Sequence, residues 1–117
     1  MATIVNHETI RRLAVEVGEE TVASLLVVFS DEISRYYEQL SEAPSTSQIR
    51  EISHAIKSSA ASFGADELAA LARECESRVK LGQESWVHDQ LPRLISMLRG
   101  TISEYKALAN QQNLFNH

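Results

Sequence analysis

The sequence predicts an all-α protein: an antiparallel up-down-up-down four-helix bundle with a short accessory N-terminal helix. Three observations lead to this fold class. The 117 residues include only four glycines and two prolines. They show no sustained alternation of apolar and polar residues, and apolar residues recur at intervals of three and four along most of the chain. We expect one domain over 1–117, with the accessory helix in 1–18, the bundle in 19–110 and a frayed tail in 111–117.

The first two helices are separated by Gly18. Asn6 can cap the first helix, whose apolar stripe stops at that glycine. From Glu19 to Leu40 the apolar residues keep the same spacing over five turns or more, which predicts the first long bundle helix. This helix has more apolar surface than one seam needs, because Val27 and Val28 lie off its stripe. We consider these two valines candidates for a partner-docking patch beside His54, a residue of the third helix.

A capping box marks the start of the third helix. Ser45 and Gln48 have the Ser-x-x-Gln spacing, and Pro44 just before them makes continuation from upstream unfavourable. Gly64 is the natural left-handed C-cap, so the helix should cover Thr46 to Phe63. On a helical wheel the buried seam of this helix comprises six residues, Ile49, Ile52, Ile56, Ser59, Ala60 and Phe63.

Two further helices complete the bundle. Asp66 is the expected cap of the fourth helix, which carries an apolar stripe and stops at Gly82. The fifth helix begins near Ser85 and keeps bundle spacing as far as Leu108. Pro92 lies inside it and removes a backbone hydrogen bond, so we expect a kink or a separate turn there.

Composition argues against several classes of function. The formal net charge is −5 at pH 7, whereas nucleic-acid binding needs a basic face, so we expect no nucleic-acid partner. The longest apolar run, Leu25 to Phe29, is too short to span a bilayer. The N-terminus lacks the basic start and apolar core of a signal peptide. We therefore expect a cytoplasmic protein that does not associate with membranes. Cys75 is the only cysteine, which precludes an internal disulfide, and its spacing suits burial.

His54 stands out on the third helix. On the wheel it lies opposite the buried seam, so its imidazole should be exposed to solvent. Arg50 one turn before it, and Lys57, Ser58 and Ala61 after it, share its face. The small Ser58 and Ala61 leave a shallow platform that another protein can approach closely. Lys57 supplies a cation of the kind that an anion-handling site needs.

Three other interpretations of His54 compete with a functional one. It can be an ordinary surface histidine on a polar helix face. Glu51 and His54 have the Glu-x-x-His spacing of di-iron bundles. However, no second such pair is present and both side chains should point outward, so we expect no metal site. A hydrolytic triad needs a nucleophile on a strained turn and an orienting group. Ser58, one turn away, is a weak substitute.

The residues that follow His54 form a distinctive pattern. Lys57 stands three positions on, small residues stand four, six and seven positions on, and Phe63 and Gly64 stand nine and ten positions on, before leucines in the next helix. This pattern resembles the signature of histidine-phosphotransfer (HPt) domains of multistep phosphorelays. Ser58 departs from it, since glycine is commonest there, but serine is still small. More narrowly, the chain is similar to the small single-domain phosphotransfer proteins of bacterial quorum sensing.

The resemblance implies a phosphorelay intermediate. Such a domain would accept a phosphoryl group on His54 from a receiver-domain aspartate and pass it to the aspartate of a downstream response regulator. Lys57 would stabilise charge, and Arg50, Ser58 and Ala61 would lie at the partner-docking surface. The chemistry is reasonable, because a neutral imidazole is a good nucleophile near pH 7.

The resemblance also implies partners and cofactors. The partners would be the receiver domain of a hybrid sensor kinase and a response regulator. This chain would bind no cofactor, since the divalent metal would lie only in the partner receiver domain. No Gly-rich ATP-binding signature is visible, so we expect no autokinase activity, and whether the shuttle counts as an enzyme stays open. Ala55 follows His54 where dimeric kinase phosphoacceptor domains usually have an acidic residue, so we expect a monomer. The alternative function is a non-catalytic helical adaptor in which His54 is an ordinary surface residue.

Overall fold

The protein is all-helical over residues 5–111, the part of the chain that the computed structural model describes. Its five helices are α1 (His7–Val17), α2 (Glu19–Leu40), α3 (Thr46–Ser62), α4 (Asp66–Lys80) and α5 (Glu84–Ala109). No residue of 5–111 is in a β-strand, which confirms the all-α fold class. The predicted frayed tail lies outside the described residues except for its first position.

The first and third helices begin where the sequence predicts. The Asn6 side chain accepts hydrogen bonds from the backbone N–H groups of Glu8 and Thr9. Both halves of the capping box are present: Ser45 Oγ accepts from the Gln48 N–H at 3.1 Å, and Gln48 Oε1 accepts from the Ser45 N–H at 3.3 Å. These contacts satisfy backbone donors that a helix start leaves without partners, which explains why both helices start there.

The turn between α3 and α4 corrects one prediction. Gly64 has φ +79°, and the Ala65 N–H returns to the Ala60 carbonyl at 2.9 Å, as in a left-handed helix stop. A side chain at position 64 would also lie 2.8 Å from the Asn6 carbonyl oxygen. The turn is so short that Asp66 is already the first residue of α4 and makes no cap bond. Its carboxylate instead accepts a hydrogen bond from Asn6 Nδ2 at 2.8 Å, so the prediction of Asp66 as a cap is wrong.

The fifth helix continues through its proline. It begins at Glu84, one residue before the predicted start, and reaches Ala109 with Pro92 inside it. A separate turn before Leu91 does not form. A single missing hydrogen bond is tolerated because the segment packs its apolar face on the rest of the protein, with Val87 and Leu94 fully buried on either side of the proline.

The core confirms most of the predicted seam of α3. Ile49, Ile52, Ile56 and Ala60 are buried, whereas Ser59 and Phe63 are half-buried. Ser53, which the helical wheel does not place on the seam, is fully buried instead. A cluster of three aromatic side chains adds to the core, with Phe29 stacked on Phe63 at 4.7 Å between ring centroids and edge-on to Tyr105 at 4.9 Å.

The helices pack most extensively in two pairs, α3 with α4 and α2 with α5, while α1 packs on α2. Cys75 of α4 is buried as predicted, and this burial raises the pKa of its thiol to about 11. In the described part of the chain, no helix combines the length and the apolar character needed to cross a membrane.

Candidate functional site

The α3 helix presents His54 to solvent. Its side chain is 65% exposed, which confirms the orientation read from the helical wheel. The residues on the opposite side of α3, including Ile52 and Ile56, are buried in the core and hold this orientation in place.

A buried carboxylate from α4 supports the ring. The side chain of Glu76 is only 6% exposed, and its Oε2 lies 2.6 Å from His54 Nδ1. Its other oxygen, Oε1, accepts a hydrogen bond from Lys57 Nζ at 2.7 Å. A second lysine, Lys80, lies 3.7 Å from Oε2. One carboxylate therefore connects the histidine to two lysines from different helices.

The charge of Glu76 is stabilised by these contacts. The hydrogen bond from Lys57 is the main cause that lowers the pKa of Glu76 from 4.5 to about 2. Burial acts in the opposite direction, and the hydrogen bond from His54 and the charge of Lys80 lower the pKa further. Glu76 is consequently a carboxylate across the physiological pH range.

This carboxylate determines the tautomer of the neutral imidazole. An ionised carboxylate can only accept hydrogen bonds, so His54 Nδ1 must carry the proton that it shares with Glu76. The lone pair of the neutral ring is then on Nε2. The arrangement orients the ring and leaves one nitrogen available as a nucleophile.

The predicted site residues lie on the same side of α3 but not in one cavity. Arg50 is exposed and lines a cavity beside His54, together with Glu51, Glu76 and Lys80. Ser58 and Ala61 are exposed as predicted but do not line this cavity, because they lie toward the C-terminal end of α3. Lys57 is half-buried, with its ammonium on Glu76 rather than free in solvent.

Sequence reasoning missed Glu76 and Lys80. One signal was present: Glu76 follows Leu68 and Ala72 by eight and four residues, so it falls on the apolar face of α4. An acidic residue at such a position needs a cationic partner from a facing helix. Lys80 is four residues after Glu76, so the same helical spacing places it on the same side of α4.

Two other features considered in the sequence are a metal site and an apolar docking patch. Among residues 5–111, no three His, Cys, Asp or Glu side chains are grouped as a metal site would require. Val27 and Val28 are exposed as predicted. However, Val27 lines a cavity with Lys106 of α5, not the cavity that His54 lines between α3 and α4.

Comparisons with known proteins agree on one family. The model of the Hpt domain family matches residues 24–104. The phosphorelay protein LuxU of Vibrio cholerae serotype O1 is 38% identical over 109 residues, which cover 91% of this chain and 96% of that protein. LuxU of Vibrio harveyi is 34% identical over 110 residues, or 92% and 96% of the two chains. LuxU of Vibrio vulnificus is 35% identical over 105 residues, or 87% and 91%. No solved structure is significantly similar to the chain.

Proposed function

Because the chain belongs to the Hpt domain family, we propose that His54 is the residue on which it carries a phosphoryl group. The family match and the LuxU relatives make the chain a phosphotransfer intermediate of two-component signalling. The assignment of His54 depends on one observation, its contact with Glu76. The imidazole is exposed, its Nδ1 is bound to the buried carboxylate, and its Nε2 is therefore left to react.

The transfer can be written with this tautomer. The lone pair of Nε2 attacks the phosphorus of an aspartyl phosphate in a receiver domain. An N–P bond forms, the P–O bond to the aspartate breaks, and the aspartate leaves as a carboxylate. The proton stays on Nδ1, so the phosphorylated ring is cationic and its charge is balanced by Glu76, 2.6 Å away. Transfer to a second aspartate is the reverse of this step.

Lys57 contributes to the same charge balance. Its ammonium contacts Glu76 Oε1 and is half-buried, so it holds the carboxylate ionised and in place behind the ring. Arg50, Ser58 and Ala61 are exposed on the same side of α3, which supports their role in docking a receiver domain. A receiver can reach Nε2 because the imidazole projects from the bundle.

The partners follow from the family in general terms: receiver domains and response regulators. More specifically, we propose the receiver of a hybrid sensor kinase as the donor and a response regulator as the acceptor, with any divalent metal held by the receiver. The absence of an ATP-binding signature in the sequence supports a shuttle without autokinase activity. Quorum sensing, a cytoplasmic location and a monomeric state stay predictions.

We also propose that α2 to α5 form the antiparallel up-down-up-down bundle, with α1 as the accessory helix. Short connections between consecutive helices support this arrangement. So do contacts between α2 and α3, where Ser59 Oγ donates to Glu32 at 2.8 Å, and the extensive packing of α3 on α4.

The decisive experiment is to incubate the protein with a receiver domain phosphorylated on its aspartate and to map the modified residue. We expect acid-labile, base-stable label on His54 and none in His54→Gln. The free energy of unfolding should change by no more than about 1.5 kcal/mol, because the ring is exposed and the glutamine amide can replace its hydrogen bond to Glu76. Label that persists in His54→Gln would reject His54 as the acceptor, and an unlabelled parent protein would favour the adaptor function.

A further inference from the structure

The cavity beside His54 faces two cations that the phosphotransfer chemistry above does not use. Its volume is about 410 Å³, and it is lined by residues of α3 and α4: Arg50, Glu51, His54, Glu76 and Lys80. Lys57 does not line it, because its ammonium is bound to Glu76. The basic residues that line the cavity are therefore Arg50 and Lys80.

The charges that line this cavity balance, although the chain as a whole is acidic. The lining has two cations, Arg50 and Lys80, and two carboxylates, Glu51 and Glu76, and Lys57, bound to Glu76, adds one positive charge beside it. Since the whole chain carries a formal charge of −5, the surroundings of His54 are more favourable to an anion than the average surface of the protein.

Lys80 is held loosely. Its Nζ lies 3.7 Å from Glu76 Oε2, which is longer than a hydrogen bond, and its side chain is 59% exposed. Exposed ion pairs four residues apart on a helix are weak. The same oxygen, Oε2, contacts His54 Nδ1, so the ammonium is close to the imidazole and free to move to a stronger anion.

We propose that Lys80 binds the phosphoryl group carried on His54, with Arg50 on the other side of the cavity. The inference rests on the proposed function. A phosphoryl group brings a charge close to −2 and three acceptor oxygens, and Lys80 offers three N–H donors that Glu76 does not hold. Lys57 and Lys80 then have separate roles: Lys57 fixes Glu76 behind the ring, and Lys80 contacts the oxygens in front of it. Lys80 forms no covalent bond during transfer.

A measurement without any partner protein tests this contact. The parent protein, Lys80→Ala and Lys80→Arg would be phosphorylated with phosphoramidate, and the ³¹P NMR signal of the phosphohistidine would be titrated with pH. Loss of a cation about 4 Å away should raise the pKa of the phosphoryl group by about 0.8 of a unit in Lys80→Ala. Lys80→Arg should restore the parent value.

Lys106→Ala is the matched control. Lys106 is also an exposed lysine in the last turn of its helix, and it lines a different cavity. Its removal takes away the same charge and the same stabilisation of a helix C-terminus, so thermal unfolding should change similarly in the two alanine variants. Only Lys80→Ala should change the ³¹P titration.

Transfer from a phosphorylated receiver domain provides the second measurement. We expect the initial rate to fall about tenfold in Lys80→Ala, because one charge-assisted contact at an exposed site is lost, and to stay at the parent value in Lys106→Ala. If His54 is labelled but Lys80→Ala matches the parent in the ³¹P titration, the inference about Lys80 is overturned while His54 remains the acceptor. A slower transfer with an unchanged titration overturns it as well, since Lys80 would then contact the receiver. Label persisting in His54→Gln would overturn the proposed function itself.

Discussion

Replacement of Glu76 by alanine tests the central feature of the site. The substitution removes the acceptor that holds the proton on His54 Nδ1 and the partner of the half-buried Lys57 ammonium. Hydrogen bonds to charged groups contribute about 1.5–3 kcal/mol, and the lower end applies at His54 because its ring is 65% exposed and water can replace the carboxylate. About 1.4 kcal/mol corresponds to a tenfold change in the ratio of the two tautomers.

Two measurements report on this change. The first is the initial rate of phosphoryl transfer from a phosphorylated receiver domain. It should fall at least about twofold in Glu76→Ala, because a tenfold change in the ratio takes a ring with nearly all its lone pair on Nε2 to an even mixture of tautomers. The second is a long-range ¹H–¹⁵N NMR spectrum of the imidazole, which should show the proton on Nδ1 in the parent protein and a mixture of tautomers in the variant. Denaturant unfolding should show a loss of about 1–3 kcal/mol from the stranded Lys57 ammonium.

Glu74→Ala is the control on the same helix. Glu74 is an exposed acid that pairs with Arg78 at 3.3 Å and makes no contact with His54 in the described structure. Its removal should change stability by no more than about 0.5 kcal/mol and leave transfer unchanged. If Glu76→Ala keeps both the parent tautomer and the parent transfer rate, the carboxylate does not orient the nucleophile and the reasoning is refuted.

Four stability predictions follow from other contacts. The pKa of Glu76 is lowered from 4.5 to about 2, so its ion pairs stabilise the fold above about pH 4.5 and this contribution is lost as the pH falls toward 2. Urea midpoints of the parent and Glu76→Gln should converge over that range, and a constant gap would contradict the assignment. Tyr105→Phe should lower the free energy of unfolding by about 1–2 kcal/mol, because the buried Tyr105 hydroxyl donates to the Phe63 carbonyl at 2.6 Å; an unchanged guanidinium midpoint would argue against this bond. Ser53→Ala should not destabilise the protein and should raise the melting temperature, because the buried Ser53 hydroxyl has no hydrogen-bond partner among residues 5–111. Ile56→Ala should cost about 2–5 kcal/mol in denaturant unfolding, because Ile56 is fully buried.

Local chemistry made the helices and half of the site predictable. Asn6, the Ser45–Gln48 capping box and Gly64 each act within a few residues of the backbone that they terminate, so their effects could be read from the sequence and are confirmed. The exposure of His54 is also a local property, because the apolar spacing of α3 alone determines which of its faces is buried.

Contacts between helices were less accessible to sequence reasoning. Asp66 was expected to cap α4, but a cap requires a particular backbone conformation at the turn, and the turn instead places its carboxylate beside Asn6. Pro92 was expected either to kink α5 or to produce a separate turn. The separate turn does not form and the helix is continuous there, because the packing of the segment outweighs the loss of one hydrogen bond, while the kink stays a prediction.

The sequence by itself determined that this chain forms amphipathic helices and that one of them exposes His54 with a lysine one turn away. Only the tertiary structure decided that Glu76, 22 positions later, lies under the imidazole and selects Nε2 as its free nitrogen. The physical reason is that side-chain spacing along a helix determines which face is buried. The rotation and offset of one helix against another depend on how all the core side chains pack together, and it is this packing that brings Glu76 to His54.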